Sequence, residues 1–211
     1  MKKIGKVLFF SFLTLISVQT FAQKIGIQGG INLANMLVED DEATYSEDFT
    51  MNLGYNAGVT FELGLGKLLS LEVGAMADTK GFKWELDGGT MKANVLYADI
   101  PVLLKVGPQL GPLKVFGAAG PYIGYGITGK LISIPDEGSK VTEDIEFGDT
   151  QDDYLKRLDY GAKFGVGAEV MGITIGAYYS LGLANISPVT EGGAKINHKV
   201  ISVSLGYKLG L

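Results

Sequence analysis

The segment from His198 to Leu211 alternates between two kinds of side chain. One set of positions is aliphatic or aromatic, whereas the other is serine, glycine or lysine: Ile201, Val203, Leu205, Tyr207, Leu209 and Leu211 against Ser202, Ser204, Gly206, Lys208 and Gly210. Because successive side chains of a β-strand point to opposite faces, the segment predicts a strand with one apolar face and one small or polar face. A transmembrane β-barrel needs this pattern, with its apolar groups toward lipid.

The first 22 residues have the pattern of a secretory signal peptide. Three lysines precede an apolar run at residues 7–18, and Ala22 provides a small residue at the cleavage position. The apolar run has twelve residues, too few for a membrane-spanning helix, which needs about 20. The sequence therefore predicts a signal peptide over residues 1–22 and one mature domain over residues 23–211.

Charge and composition exclude several classes of function. Loss of the three N-terminal lysines takes the formal net charge from −5 to −8, which argues against nucleic acid as a partner. Cysteine is absent, so disulfides and cysteine-based zinc sites are excluded. No later stretch approaches 18 uninterrupted apolar residues, which excludes a transmembrane helix. We expect no metal and no cofactor.

Period-2 alternation predicts eight strands in one all-β domain, at residues 24–33, 54–65, 68–82, 94–106, 113–129, 159–170, 173–183 and 198–211. The predicted connections alternate in length. Short turns occur at Gly66-Lys67, 107–112 and Met171-Gly172, whereas the first and fifth strands are followed by long connections and the third and seventh by intermediate ones. Bacterial outer-membrane barrels have this asymmetry, with short periplasmic turns and longer extracellular loops. Both termini would then be periplasmic.

The composition of the non-aliphatic faces favours a membrane barrel over a soluble periplasmic β domain. A water-facing strand surface is usually rich in Lys, Glu and Thr, and glycine is disfavoured in strands. Here those faces carry mostly glycine, serine and alanine with occasional charges. Small residues suit the crowded interior of a narrow barrel, where they leave room for a few large side chains.

Several motifs resemble a known family, the small outer-membrane β-barrel proteins of Gram-negative bacteria with a porin-like or PorT-like barrel domain. Tyr97-Ala98-Asp99-Ile100-Pro101-Val102-Leu103-Leu104-Lys105 is similar to the family's fourth strand. The run from Phe116 to Gly124 resembles the fifth, and Tyr179 to Ile186 with Gly206-Tyr207-Lys208 resemble the last two. Asp99 stands where the family more often has glutamate, and Leu211 replaces the usual terminal aromatic residue.

The resemblance implies an eight-stranded antiparallel barrel in the outer membrane. It also implies outer-membrane lipid and lipopolysaccharide as surroundings and the barrel-assembly machinery as a partner during biogenesis. It does not imply one activity, because a fold hosts many functions. A surface or envelope protein partner stays unidentified.

Eight charged residues are predicted to face the lumen, and acids and bases are nearly balanced among them: Glu62, Glu72, Asp99, Lys105, Lys114, Lys163, Glu169 and Lys208. Isolated buried charge is too costly to persist unpaired, which favours a structural salt-bridge plug. The alternative is a polar conduit or gate, although an eight-stranded barrel is barely wide enough once side chains fill it.

Other candidate sites are weaker. Gly124, Gly126 and Gly129 match a dinucleotide-binding pattern by letter, but no helix follows them to hold a pyrophosphate. His198 is the only histidine, and we expect it to be a bystander near the loop rim. Pro101 cannot donate to a strand ladder and, like Pro121, predicts a bulge or a bend.

The long connections are acidic and predict solvated loops, with cation bridging to lipopolysaccharide phosphates or an adhesive surface as the functional alternatives. The sequence thus predicts a plugged, non-enzymatic outer-membrane barrel with a structural or surface-interaction role. A narrow porin for small solutes and a lipid A-modifying enzyme centred on His198 are the alternatives.

Overall fold

The computed structural model describes four stretches of the chain, residues 23–39, 49–150, 153–189 and 193–210. The predicted signal peptide, residues 1–22, lies outside the described residues, as does Leu211. The described residues form eleven strands: β1 (Gln23–Glu39), β2 (Phe49–Thr50), β3 (Asn52–Gly64), β4 (Leu69–Leu86), β5 (Gly89–Val106), β6 (Gln109–Leu110), β7 (Leu113–Pro135), β8 (Val141–Asp144), β9 (Leu158–Val170), β10 (Ile173–Gly182) and β11 (Lys195–Gly210). None of the helices in this part of the chain has the length and apolar character needed to cross a membrane.

Eight long strands close into one antiparallel ring in the order β4, β3, β1, β11, β10, β9, β7 and β5, with β5 pairing back to β4. Strands β1 and β11 join the two ends of the sheet, so that Ile25 lies opposite Leu209 and Ile31 opposite Val203. Closure gives each long strand a hydrogen-bonded neighbour on both sides. Backbone N–H and C=O groups inside a lipid bilayer need such partners, because no water is available there. The predicted eight-stranded antiparallel barrel is confirmed.

The two faces of the barrel wall differ in exposure and in charge. In β11, the outward side chain of Val203 is 45% exposed, whereas the inward side chain of Ser202 is 2% exposed. Across the eight strands, the outward positions of residues 25–33, 53–63, 69–77, 96–106, 113–127, 158–170, 173–183 and 201–209 carry only aliphatic or aromatic side chains, glycine or proline. Charged side chains at these levels therefore point into the lumen.

The connections define two ends of the barrel. At the turn end, residues 65–68, 107–112 and 171–172 join consecutive strands, and Met171 and Gly172 take the positive φ values of a tight hairpin turn, 52° and 85°. At the other end, which we call the loop end, every barrel strand except β10 runs further than the sequence predicted. The intermediate connection expected after β4 is wrong, because a two-residue turn at Asp87-Gly88 closes a longer β4–β5 hairpin.

Both prolines coincide with gaps in the ladder, but neither forms the barrel's bulge. Cα partners are missing between β4 and β5 beside Pro101 and between β5 and β7 beside Pro121, where each proline lacks an N–H. The register of β5 against β7 is the same on both sides of the gap, and it shifts instead between Leu96 and Tyr97. Of the two predicted alternatives at the prolines, the bulge is therefore wrong, and a bend stays a prediction.

Candidate functional site: the filled lumen

Ionic side chains fill the turn end of the lumen, and we call this group the turn-end network: Lys24, Glu62, Glu72, Lys105, Lys114, Glu169 and Lys208. Each comes from an inward position at the turn end of its strand, because the alternation of the strands aims it into the barrel. Since the turns bring all strand ends to one level, residues distant in sequence meet there.

Lys208 is the centre of this network. Its ammonium group forms an ion pair with Glu62 and lies 2.7 Å from Oε2 of Glu72, while Lys105 pairs with the same carboxylate of Glu72. Lys114 extends the chain of contacts, with Nζ 2.8 Å from Oε1 of Glu62 and 3.2 Å from Oγ of Ser70. The shared carboxylates cross-link opposite walls of the barrel.

A second polar group, the Lys80 cluster, lies nearer the loop end. Lys80 Nζ is 2.8 Å from Oδ2 of Asp99 and 2.8 Å from Oδ2 of Asp159, and both the lysine and Asp159 are fully buried. The ammonium group also lies over two aromatic rings, 4.6 Å from the centroid of Tyr97 and 4.4 Å from that of Tyr122. The hydroxyl of Tyr122 donates to Asp159 at 3.1 Å.

Asn32 bridges the wall between β1, β3 and β4. The side-chain amide of Asn32 donates to the carboxylate of Asp78, and also to the carbonyl oxygens of Thr79 at 3.0 Å and Tyr55 at 3.2 Å. Those carbonyls lie just past the last β3–β4 pair, Asn56 with Asp78. Asn32 thus satisfies backbone groups that the ladder leaves open.

An apolar cap closes the loop end of the lumen. Its buried members come from two barrel strands, β1 and β5, and from two connections that fold over the mouth: Met36, Ala93, Val95, Tyr97, Ile145, Leu155, Ala184 and Ile186. Backbone bonds hold the connections in place, from Lys156 N to the carbonyl of Ile186 at 2.8 Å and from Ile186 N to that of Ile196 at 2.9 Å. The expectation of a wholly solvated acidic connection is wrong, because Ile145 and Leu155 are buried inside it.

Three glycines of the rejected dinucleotide pattern have a packing role. A Cβ on Gly124 would overlap the carboxylate of Asp99, one on Gly126 would lie 2.7 Å from the ring of Phe147, and one on Gly129 would lie 3.0 Å from Ile145. The glycines therefore make room for the side chains that fill the barrel.

The structure brings seven of the eight charged residues named from the sequence into the two groups. Glu62, Glu72, Lys105, Lys114, Glu169 and Lys208 meet in the turn-end network, while Asp99 contacts Lys80 and Lys163 lies 3.7 Å from Asp78. Sequence reasoning missed the other ionic members of the lumen: Lys24, Asp78, Lys80 and Asp159. Continuing the two-residue period of β1, β4 and β9 toward the strand ends would have found each of them.

The sequence predicted His198 near the loop rim, but the structure places it inside the barrel. It is 1% exposed, its ring meets Tyr97 edge-on at 5.2 Å between centroids, and Nε2 lies 3.2 Å from the tyrosine hydroxyl. An enzyme centred on His198 would pair it with a serine and an acid, and Ser187, Ser202 and Glu191 are the candidates nearby in sequence. The hydroxyl of Ser187 donates to the carbonyl of Val189, and neither that hydroxyl nor Ser202 Oγ is hydrogen-bonded to the histidine. Glu191 lies outside the described residues. Within the part of the chain that is described, no three acidic, histidine or cysteine side chains are grouped so as to hold a metal ion.

Comparison with known proteins gives one family match. The family model described as "Outer membrane protein beta-barrel domain" matches residues 21–187. No curated protein matches the chain.

Solved structures similar to the chain include OprG of Pseudomonas aeruginosa, at 14% identity over 90% of this chain and 98% of that one, with a TM-score of 0.44. The attachment invasion locus protein Ail of Yersinia pestis is similar at 11% identity over 89% and 99%, with a TM-score of 0.40. Neisserial surface protein A is similar at 10% identity over 88% and 97%, with a TM-score of 0.42.

Proposed function

Because the chain belongs to the outer membrane protein β-barrel domain family, we propose that it is a closed, non-conducting barrel with a structural or surface-interaction role. The protein is an outer-membrane β-barrel. Its specific role is the subject of the proposal, and we expect it to act without enzymatic chemistry.

The filled lumen is the observation that carries the proposal. Six carboxylates face six ammonium groups inside the described part of the barrel: Glu62, Glu72, Asp78, Asp99, Asp159 and Glu169 with Lys24, Lys80, Lys105, Lys114, Lys163 and Lys208. The apolar cap covers them from the loop end. A solute would have to break paired buried charges and then displace apolar side chains, and both steps are costly.

The same proposal includes an orientation. The turn end, where β1 begins and β11 ends, faces the periplasm, and a signal peptide over residues 1–22 directs export. Lipid and lipopolysaccharide surround the barrel, the barrel-assembly machinery inserts it, and the loop end is available to a surface or envelope partner.

Conductance in planar lipid bilayers tests the closed lumen. We expect the purified, refolded protein to insert without producing stepwise current, while protein-free vesicles set the baseline. Reproducible current steps would refute the proposal and support the narrow-porin alternative.

The enzymatic alternative has a separate test. Because His198 is enclosed by the Lys80 cluster and the apolar cap, we expect no access for a lipid substrate. Mass spectrometry of lipid A from cells with and without the protein should give identical acyl compositions. A gained or lost acyl chain would support an enzyme centred on His198.

A further inference from the structure

A cleft of about 560 Å³ lies on the outer wall of the barrel at the loop end. Its upper part is polar and contains Lys156, Arg157, Asn185 and Asp149. Its lower part consists of Tyr125, Leu158 and Tyr160, each about half exposed on the outward face. The cleft is therefore amphipathic along the direction in which a lipid molecule would lie.

Arg157 is held in position by its surroundings. Nη1 donates to the carbonyl of Gly126 at 3.1 Å, and the guanidinium carbon lies 5.0 Å from the ring centroid of Phe147 and 5.8 Å from that of Tyr125. The hydrogen bond uses one N–H, whereas a guanidinium carries five. A positioned guanidinium with further donors at the surface is suited to bidentate recognition of a phosphate.

The level of this cleft relative to the membrane follows from the strand pairing. Tyr160 lies opposite Ile123, in the uppermost part of the uncharged outward band. Lys156 and Arg157 immediately precede this level in the chain, where hydrocarbon gives way to lipid headgroups. Their two positive charges match the two negative charges that a phosphomonoester can carry, whereas a phosphodiester carries only one.

We propose that this cleft binds one lipid of the surrounding leaflet through a phosphomonoester headgroup, which Lys156 and Arg157 contact while the acyl chains lie against Tyr125, Leu158 and Tyr160. The inference rests on the barrel being embedded in a membrane, and it is independent of whether the lumen conducts. Asp149 opposes the anion, so its carboxylate lowers the affinity of the site.

Native mass spectrometry of the full mature protein in detergent micelles tests the site, with dipalmitoyl phosphatidic acid as the probe. We expect saturable binding of one phosphatidic acid molecule and no comparable binding of dipalmitoyl phosphatidylcholine. Inorganic phosphate should compete only at a concentration at least about 100-fold higher, because it lacks the acyl chains that contact the lower wall.

Matched variants assign the binding to these residues. Lys156→Gln together with Arg157→Gln should weaken phosphatidic acid binding at least about tenfold, since charge-assisted hydrogen bonds are lost. Asp149→Asn should strengthen it, and Lys140→Gln, a change at an exposed lysine outside the cleft, should leave it unchanged. Lys156→Gln alone keeps Arg157 and its bond to Gly126, so its smaller expected loss tests the site without disturbing the loop.

Three results would overturn the proposal. They are equal binding by the double variant and the wild type, equal binding of phosphatidylcholine, and competition by inorganic phosphate at the same concentration as the lipid. Stepwise conductance by a protein that binds phosphatidic acid as expected would refute the closed lumen alone, so the two proposals fail separately.

Discussion

Lys80 shows, at the scale of one residue, how the barrel tolerates charge in its interior. Its ammonium group lies between Asp99 and Asp159, each at 2.8 Å. Lys80→Met would leave two buried carboxylates without that cation, and we expect the free energy of unfolding to fall by about 3–5 kcal/mol. Urea unfolding of the protein in phospholipid vesicles measures the change.

Lys83 provides the control for Lys80 on the same strand. It pairs with Glu85, an exposed residue on the β4–β5 hairpin beyond the barrel wall. Lys83→Met should cost about 0–1 kcal/mol, as exposed ion pairs usually do. Equal losses in the two variants would contradict the importance of the buried cluster.

Val203 tests the outward face near the middle of the apolar band. It lies opposite Ile31 on one side and Ala177 on the other. Val203→Arg should reduce the free energy of unfolding in vesicles by about 2–4 kcal/mol, because a charge near the bilayer midplane is poorly solvated. Leu183→Arg, at the loop end, should cost about 0–1 kcal/mol. A larger loss for Leu183→Arg would place the membrane at a different level.

At the scale of the elements, alternation predicted the existence of all eight barrel strands but not their outer ends. The strands β4 and β5 continue to Asp87-Gly88, and an Asp-Gly pair between two strands is a strong hairpin signal. The predicted spans stopped short because the residues near this turn are more polar, as expected for strands that leave the membrane. Polarity at this level marks the membrane boundary and not the end of a strand.

The prolines were misread for a related reason. Pro101 lies in β5, which pairs with β4 on one side and β7 on the other. Its missing N–H leaves a gap in the ladder between β4 and β5 without changing the register of these strands. Gly74 leaves space on the neighbouring strand, since a Cβ there would lie 3.0 Å from Cγ of Pro101. A closed sheet can thus accept a proline where a neighbouring residue is small, and nothing local to the proline reveals that residue.

The apolar cap gives a prediction about the connections. Ile186 is fully buried, and its carbonyl accepts from the backbone of Lys156. Ile186→Asp would place an unpaired carboxylate in the cap and should destabilise the closed arrangement of the connections by more than about 1.4 kcal/mol. Because 1.4 kcal/mol corresponds to a tenfold change in population, the rate of trypsin cleavage after Lys156 or Arg157 should rise at least about tenfold. The heat-modifiable mobility of the barrel in SDS gels should persist.

Leu183→Asp is the matched change for the cap, because Leu183 is 60% exposed and lies three residues before Ile186. Its rate of trypsin cleavage should stay close to that of the wild type. Comparable rates for the two aspartate variants would show that the connections are not held by the cap.

At the scale of the whole molecule, the sequence predicted closure, the outward apolar band and much of the lumen charge, because all three follow from one period of two residues. It did not predict the cap or the position of His198. His198 shares the inward phase of Ser202, and it lies inside the barrel because β11 begins at Lys195, three residues before it. The cap depends on connections that fold inward and bring together residues far apart in sequence, such as Ile145 and Ile186. No local periodicity encodes such contacts, and acidic neighbours in the first of these connections concealed its buried apolar residues.

The absence of native cysteine makes one measurement especially direct, namely the labelling of single cysteines by a polar maleimide. Ser202→Cys places a thiol in the filled lumen, and Lys140→Cys places one on an exposed connection. In the folded protein in vesicles, we predict rapid labelling at residue 140 and none at residue 202, which should become reactive only after heating in SDS. Equal labelling of the two thiols in the folded protein would contradict a closed barrel.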